Sequence, residues 1–234
     1  KNYKAQEIGT FRMFNIAAQE VWKWFLYRKS ITEFAKPNQS HWMLKEIEAQ
    51  LKDKFALISQ NVDGLHRKAG SSEERTFLIH GDFDFVRCGD ECSKELYPFP
   101  KGFDLKNRNP QVITEQEWQL LRCPKCSEDL RPHVLWFDEY YDEKYFKRES
   151  VLRISKEAGI LFVLGTSGAT NLPQVIARNT LARNGMVVEV NIEESYFSEL
   201  LENKKNGIVV NQRSSVFLKE LKDEIEDLLA NHTL

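Results

Sequence analysis

Two pairs of cysteines are the first residues whose type and spacing could do chemistry. Cys88 and Cys92 close the run Cys-Gly-Asp-Glu-Cys, and Cys123 and Cys126 close Cys-Pro-Lys-Cys. A pair spaced by two or three residues turns both thiolates onto one ion, and two such pairs supply the four sulfurs of a tetrahedral zinc site. Four protein thiolates leave no coordination position for water, so this zinc would hold structure rather than react. The chain of 234 residues has no other cysteine. That is too few for a disulfide scaffold, and the paired arrangement points to a reducing, intracellular setting, with the cytoplasm as default.

Polar side chains also gather where apolar runs end. Gln60-Asn61-Val62-Asp63-Gly64-Leu65-His66 follows the run Phe55 to Ile58. Taken alone, it fits a strand entering a turn as well as a site. Leu78-Ile79-His80-Gly81 places a histidine beside a permissive glycine. A lone histidine is more often a satisfied structural residue than a base. Gly165-Thr166-Ser167 follows Ile160 to Leu164, and Asn191-Ile192-Glu193 follows Met186 to Val190. The first offers amides and hydroxyls to an anion or ribose, the second an amide and a carboxylate to a ribose. Arg131-Pro132-His133-Val134-Leu135-Trp136-Phe137-Asp138-Glu139 interleaves apolar and polar residues. It suits a peptide-binding edge, or equally a surface loop whose aromatics are buried.

The elements that would position these groups follow from periodicity. Buried apolar runs at 55–58, 160–164 and 186–190, with helical segments in between, imply an α/β fold with a Rossmann-like, doubly wound parallel sheet. Open sheets of this kind place their ligand crevice at the carboxyl ends of the strands. Apolar residues at three- and four-residue spacing predict flanking helices at Phe11–Tyr27, His41–Leu51 and Ser215–Leu229. Pro37-Asn38-Gln39-Ser40 supplies a break and a cap before the second of these. From Asp82 to Leu130 the rhythm fails, and a loop-rich insertion of that length needs the cysteines as its staple. The expected organisation is a Rossmann-like domain of residues 1–81 and 131–234, with part of a small helical module near 1–50, and an inserted zinc-binding domain of residues 82–130.

Composition adds mainly exclusions. With 33 basic and 35 acidic residues, the formal charge is −2, so nothing in the balance calls for nucleic acid or a membrane surface. No apolar run approaches the roughly 20 residues of a membrane span.

Taken in order, the motifs resemble the sirtuin family. The landmarks are Gln60 to His66, His80-Gly81, the two cysteine pairs, Arg131 to Phe137, Gly165-Thr166-Ser167 and Asn191-Ile192-Glu193, together with Pro37-Asn38 and His41 at a helix start. The resemblance covers nearly the whole chain. It implies a Rossmann-like domain and a small zinc-bearing domain, with NAD as co-substrate and an acyl-lysine protein or peptide meeting it in the cleft between them. Gln60, Asn61 and Asp63 would line the pocket for nicotinamide and its ribose. His80 would be the general base, with Asn61 counted beside it as catalytic. Gly165, Thr166, Ser167, Asn191 and Glu193 would hold the adenosine half. Val134, Trp136 and Phe137 would flank the substrate lysine.

The implied reaction begins with attack of the acyl oxygen on the ribose carbon as nicotinamide leaves. A ribose hydroxyl, deprotonated with help from His80, then attacks the resulting imidate, and an imidazole titrating near neutrality suits that step. Free lysine and O-acyl-ADP-ribose are the products, and acetyl is the expected acyl group.

The sequence departs from the family pattern at three places. The glycine-rich phosphate loop falls before Lys1 in register, so a segment upstream of Lys1 is expected; Thr10-Phe11-Arg12 lacks its glycines and reads as helix. Asp138 stands where the family usually has glycine, a charge expected to narrow substrate choice. Members that remove succinyl or malonyl groups carry Tyr-x-x-Arg, and the matching residues are Phe25 and Arg28. Arg28 could still pair with an acyl carboxylate. The alternatives are therefore a desuccinylase or demalonylase using Arg28, an ADP-ribosyltransferase or NAD hydrolase on the same scaffold, or a binding module without turnover.

Overall fold

The computed structural model describes residues 3–231. Its elements in chain order are α1 (Ala5–Ile8), α2 (Phe11–Glu33), α3 (Gln39–Leu51), β1 (Leu57–Ser59), α4 (Leu65–Lys68), β2 (Thr76–Leu78), β3 (Gly81–Cys88), β4 (Tyr97–Pro98), α5 (Glu115–Gln119) and β5 (Leu130–Val134). The second half adds α6 (Glu143–Phe146), α7 (Arg148–Glu157), β6 (Ile160–Leu164), α8 (Asn171–Ala182), β7 (Met186–Asn191), α9 (Tyr196–Leu201), β8 (Gly207–Asn211) and α10 (Ser214–Ala230). The chain divides into two compact units: residues 1–36, 59–65 and 78–141, and residues 37–58, 66–77 and 142–234.

In the first unit, the start of α2 is fixed twice over. The Thr10 hydroxyl accepts a hydrogen bond from the Met13 amide, and the Asp138 carboxylate takes those of Phe11 and Arg12 at 2.7 and 3.0 Å. Both satisfy amides that a helix leaves without partners in its first turn. The helix bends at Ala17, where φ is −150° and ψ 58°. It also runs past Tyr27 to Glu33, because Lys29 is buried there with its ammonium on Glu33 at 2.8 Å and Asp84 at 2.7 Å. The pairing with Asp84 is invisible to local periodicity.

The helix packs against the antiparallel sheet of its own unit, ordered β4-β3-β5. Trp22, Phe25 and Leu26 of α2 share one core with Val86, Leu130, Val134 and Trp136, and the Trp22 indole donates to the Leu130 carbonyl at 2.7 Å. The segment expected to be loop-rich contributes most of β3, all of β4 and α5, and the buried Trp118 and Leu121 of the same core. Apolar burial therefore helps the cysteines to hold it together.

β3 and β5 pair at both ends. Gly81 pairs with Val134, and at the other end Arg87 pairs with Arg131 and Cys88 with Leu130, with an irregularity between Gly81 and Val86. Gly81 has φ +90°, and a Cβ there would lie 2.1 Å from the His133 carbonyl oxygen. Only glycine fits, on conformational and steric grounds alike.

In the second unit, β6, β7 and β8 form a parallel sheet in that order, with Leu164 opposite Val190 and Asn191 opposite Asn211. This realises the parallel α/β arrangement for the runs at 160–164 and 186–190, whereas the run at 55–58 leads into β1, which pairs with β2 in a separate two-stranded sheet. β8 is an addition: it is a short edge strand with Ile208 and Val209 exposed, so no buried apolar run announces it. Val163 and Val187 pack with Ala177 of α8 and Phe197 of α9, while Met43 and Ile47 of α3 pack with Leu218 and Ile225 of α10. Glu189 is fully buried in β7, its carboxylate taking hydrogen bonds from the hydroxyls of Ser195 and Ser198 and so tying α9 to the sheet. Among the described residues, no helix is long and apolar enough to cross a membrane.

Gly81→Ala is expected to lower unfolding stability by at least about 2 kcal/mol. Gly159→Ala, whose Cβ meets nothing within 4 Å, is the matched control and should be close to neutral. Chemical denaturation of the two variants beside the parent checks both.

Candidate functional site

The four cysteine sulfurs lie within 4.8 Å of one another, with Cys88 and Cys126 at 3.6 Å and Cys92 and Cys123 at 3.6 Å. Sulfurs bound tetrahedrally at the usual zinc–sulfur distance of about 2.3 Å are separated by about 3.8 Å. The donor set and its spacing suit a structural zinc. Cys88 and Cys123 are buried. Burial works against ionisation of Cys123, but the amides of Lys125 and Cys126 are directed at its sulfur and bring its thiol down to about 7. A thiolate is the form a metal binds.

Around His80, the same unit assembles a different chemistry. Nδ1 of His80 lies 3.0 Å from the Gln60 carbonyl oxygen, and Nε2 lies 2.8 Å from the Tyr141 hydroxyl. Burial lowers the pKa of His80 below its ordinary 6.5, against the opposing effect of the Gln60 carbonyl. Burial thus favours the neutral ring, the form a base requires.

The segment following β1 is held against β3. The Ile79 amide donates to the Ser59 carbonyl at 3.0 Å and the Phe83 amide to the Val62 carbonyl at 2.8 Å. Asn61 is exposed, its amide capped by the Ser59 hydroxyl, and Asp63 accepts the Leu65 amide at 3.0 Å. The structure thus brings Gln60 onto His80 and places Asn61 and Asp63 in the same short segment.

The 134–141 segment reaches the histidine from β5, with the Leu135 amide donating to the His80 carbonyl at 2.9 Å. Val134 and Trp136 are buried, whereas Phe137 is 62% exposed. Glu139 fixes the turn. Its carboxylate receives the Arg131 guanidinium at 2.5 and 2.7 Å, the Arg87 guanidinium at 3.4 Å and the Trp136 amide at 3.0 Å. Arg131 also stacks 3.5 Å from the centroid of the Trp136 ring.

Asp138, expected to influence substrate choice, has both carboxylate oxygens engaged by the amides that open α2. Phe25 is buried among Trp24, Phe83 and Trp136. Arg28 is exposed, with its guanidinium stacked 4.7 Å from the Trp24 ring centroid.

The second unit holds the other group of candidates. Gly165 has φ +57° and donates its amide to the Val190 carbonyl at 3.0 Å. The Asn191 side-chain amide donates to the Thr166 carbonyl at 3.2 Å, which joins the ends of β6 and β7. Ser167 and Glu193 are exposed nearby in sequence. Thr166 and Asn191 are thus joined through the Asn191 side chain beside Gly165, and Ser167 and Glu193 are exposed.

The sequence reading missed Tyr141 and the Arg87–Glu139–Arg131 cluster. Tyr141 follows another tyrosine in an irregular segment with no spacing signal, and the pairing of Arg87 with Glu139 depends on tertiary structure.

An antiparallel unit with a four-cysteine site suited to zinc and a parallel α/β unit with polar strand ends define a nucleotide-binding type of α/β protein. The Sir2 family model matches residues 1–171. An NAD-dependent protein deacylase of Leptospira interrogans is 34% identical over 228 residues, covering 97% of this chain and 83% of that protein. Another from Thermococcus kodakarensis is 30% identical over 234 residues, covering 99% and 84%. A solved Sir2 homologue mutant in complex with ADP ribose superposes with a TM-score of 0.79 at 25% identity, over 97% of this chain and 82% of that one. The chain belongs to the Sir2 family.

Removal of zinc by a chelator, or Cys88→Ser with Cys123→Ser, is expected to abolish one bound zinc per chain and to destabilise the 82–130 segment. Metal analysis and hydrogen exchange check this. Retained stability and unchanged metal content would exclude the zinc assignment. A pH dependence follows from Glu139. Burial works to raise its pKa, but the Arg131 hydrogen bond prevails and holds it below the ordinary 4.5. Its contribution is complete above that ordinary value and is lost as pH falls through the depressed one. Glu139→Gln should therefore flatten the acid limb of the stability profile as well as lower stability at neutral pH.

Proposed function

We propose that this protein removes acyl groups, acetyl preferentially, from lysine side chains of proteins or peptides, with NAD as co-substrate. The Sir2 family uses NAD, and the observation that carries the reading is the state of His80. A neutral imidazole has its Nδ1 satisfied by the Gln60 carbonyl, which leaves the basic lone pair on Nε2, where the Tyr141 hydroxyl now sits. NAD supplies the ribose carbon that receives the acyl oxygen as nicotinamide leaves.

The chain's own residues do the rest. Gln60, Asn61 and Asp63 hold the nicotinamide and its ribose, and His80 takes a proton from a ribose hydroxyl at Nε2. Gly165, Thr166, Ser167, Asn191 and Glu193 hold the adenosine half. Val134, Trp136 and Phe137 flank the acyl-lysine; the exposed Phe137 offers its ring, whereas the buried Trp136 contributes mainly by fixing the segment. The amine leaves the adduct formed by the ribose hydroxyl and one water is taken up, so the products are nicotinamide, free lysine and O-acyl-ADP-ribose. Zinc stabilises the fold without entering the reaction. A thiolate metal site and NAD dependence both support an intracellular setting.

Two features support an uncharged acyl group. Phe25 lacks a hydroxyl and is packed on three aromatic rings. Arg28 rests on Trp24 at the surface, so its charge is largely solvated.

The test is a mass-spectrometric assay with NAD and matched acetyl-, succinyl- and long-chain-acyl-lysine peptides, using the parent protein and His80→Ala. Acetyl removal requiring NAD and falling about 100- to 10,000-fold in the variant is expected. Preferred removal of succinyl would transfer the specificity to Arg28, and NAD consumption without peptide deacylation would establish a hydrolase or transferase.

A further inference from the structure

The Gln60 carbonyl is an acceptor only, so Nδ1 of His80, 3.0 Å away, carries the proton of the neutral ring. Nε2 then has one lone pair, and the Tyr141 hydroxyl, 2.8 Å from it, is the donor that fills it. The two rings are 5.8 Å apart and tilted by 32°, so they meet through this hydroxyl rather than by stacking. The nitrogen through which His80 would act as a base is already occupied.

We propose that Tyr141 is a positioning residue for His80, holding Nε2 in its acceptor form until a ribose hydroxyl displaces it. This rests on the reading of His80 as the base. A single lone pair takes one strong donor, so the tyrosine and the ribose hydroxyl compete for it. Both are neutral O–H donors, and the exchange is close to balanced in hydrogen-bond energy.

The surrounding chain suits an exchange of this kind. Tyr141 lies outside any helix or strand. The segment leading to it is fixed upstream, by the Leu135 amide on His80 and by Glu139 on Arg131. A swing of Tyr141 therefore leaves the backbone support of His80 in place. While engaged, the hydroxyl stabilises the neutral ring and acts in the same direction as burial. Burial and the Gln60 carbonyl account for the shift of His80, with no charged side chain among its causes.

Calorimetry of ADP-ribose binding to Tyr141→Phe, in the parent and His80→Ala backgrounds, tests the proposal. The substitution is expected to tighten binding about fivefold in the parent background, since the ligand no longer displaces a hydrogen bond. It should have no effect once His80 is absent. The acid limb of the kcat/KM profile should also move to higher pH, because the neutral form of His80 loses a donor.

Unchanged or weaker binding in the parent background, or an equal gain in both backgrounds, would overturn the displacement. So would a hundredfold fall in kcat, which would make Tyr141 a proton relay. Wild-type deacylation by His80→Ala would overturn the base reading itself, and the present proposal with it. Zinc content measured on every variant separates these results from misfolding.

Discussion

The close approach of two backbones at Gly81 sets the geometry of the unit that carries His80. With φ at +90° and no room for a Cβ against the His133 carbonyl, Gly81 lets the start of β3 meet the end of β5. His80 comes immediately before it, and its carbonyl takes the Leu135 amide. The histidine and the segment 134–141 are therefore placed by one contact. β3 ends at Cys88, about 26 Å along an extended strand from His80. The zinc site can brace the far end of this strand without sharing the chemistry.

Charge is used in this unit to fix backbone. Glu139 sits between two nearly fully buried guanidiniums, those of Arg87 and Arg131, and also takes the Trp136 amide. Removing one partner from such a cluster leaves a buried charge uncompensated, which costs more than the pair contributes. Its value lies in specifying the turn that delivers Phe137 outward and Tyr141 to His80. Asp138 plays a parallel part by capping α2, joining the turn to the helix that covers the sheet.

The sequence made some of this legible for definite reasons. Chelating cysteines must be close in sequence to act as pairs, so their spacing survives in one dimension. The run of β6 is apolar throughout, and that of β7 is buried from Val187 to Val190 with only Glu189 breaking its apolar character, so both stand out as apolar stretches. β8 is half exposed and was missed, and α2 was read too short because Lys29 looks solvated until Asp84 is brought to it. Asp138 showed its charge in the sequence but not its helix-capping partners. Tyr141 had no local signal at all, since its significance lies in a hydrogen bond to a residue 61 positions away.

The central claim is that His80 serves as a base after nicotinamide has left, and the direct measurement is nicotinamide exchange by His80→Ala. With an acetyl-lysine peptide, NAD and isotopically labelled nicotinamide, the variant should still incorporate label into NAD while releasing almost no deacetylated peptide. Loss of exchange together with deacetylation would place His80 in the first step or in binding, and persistence of both would remove it from the mechanism.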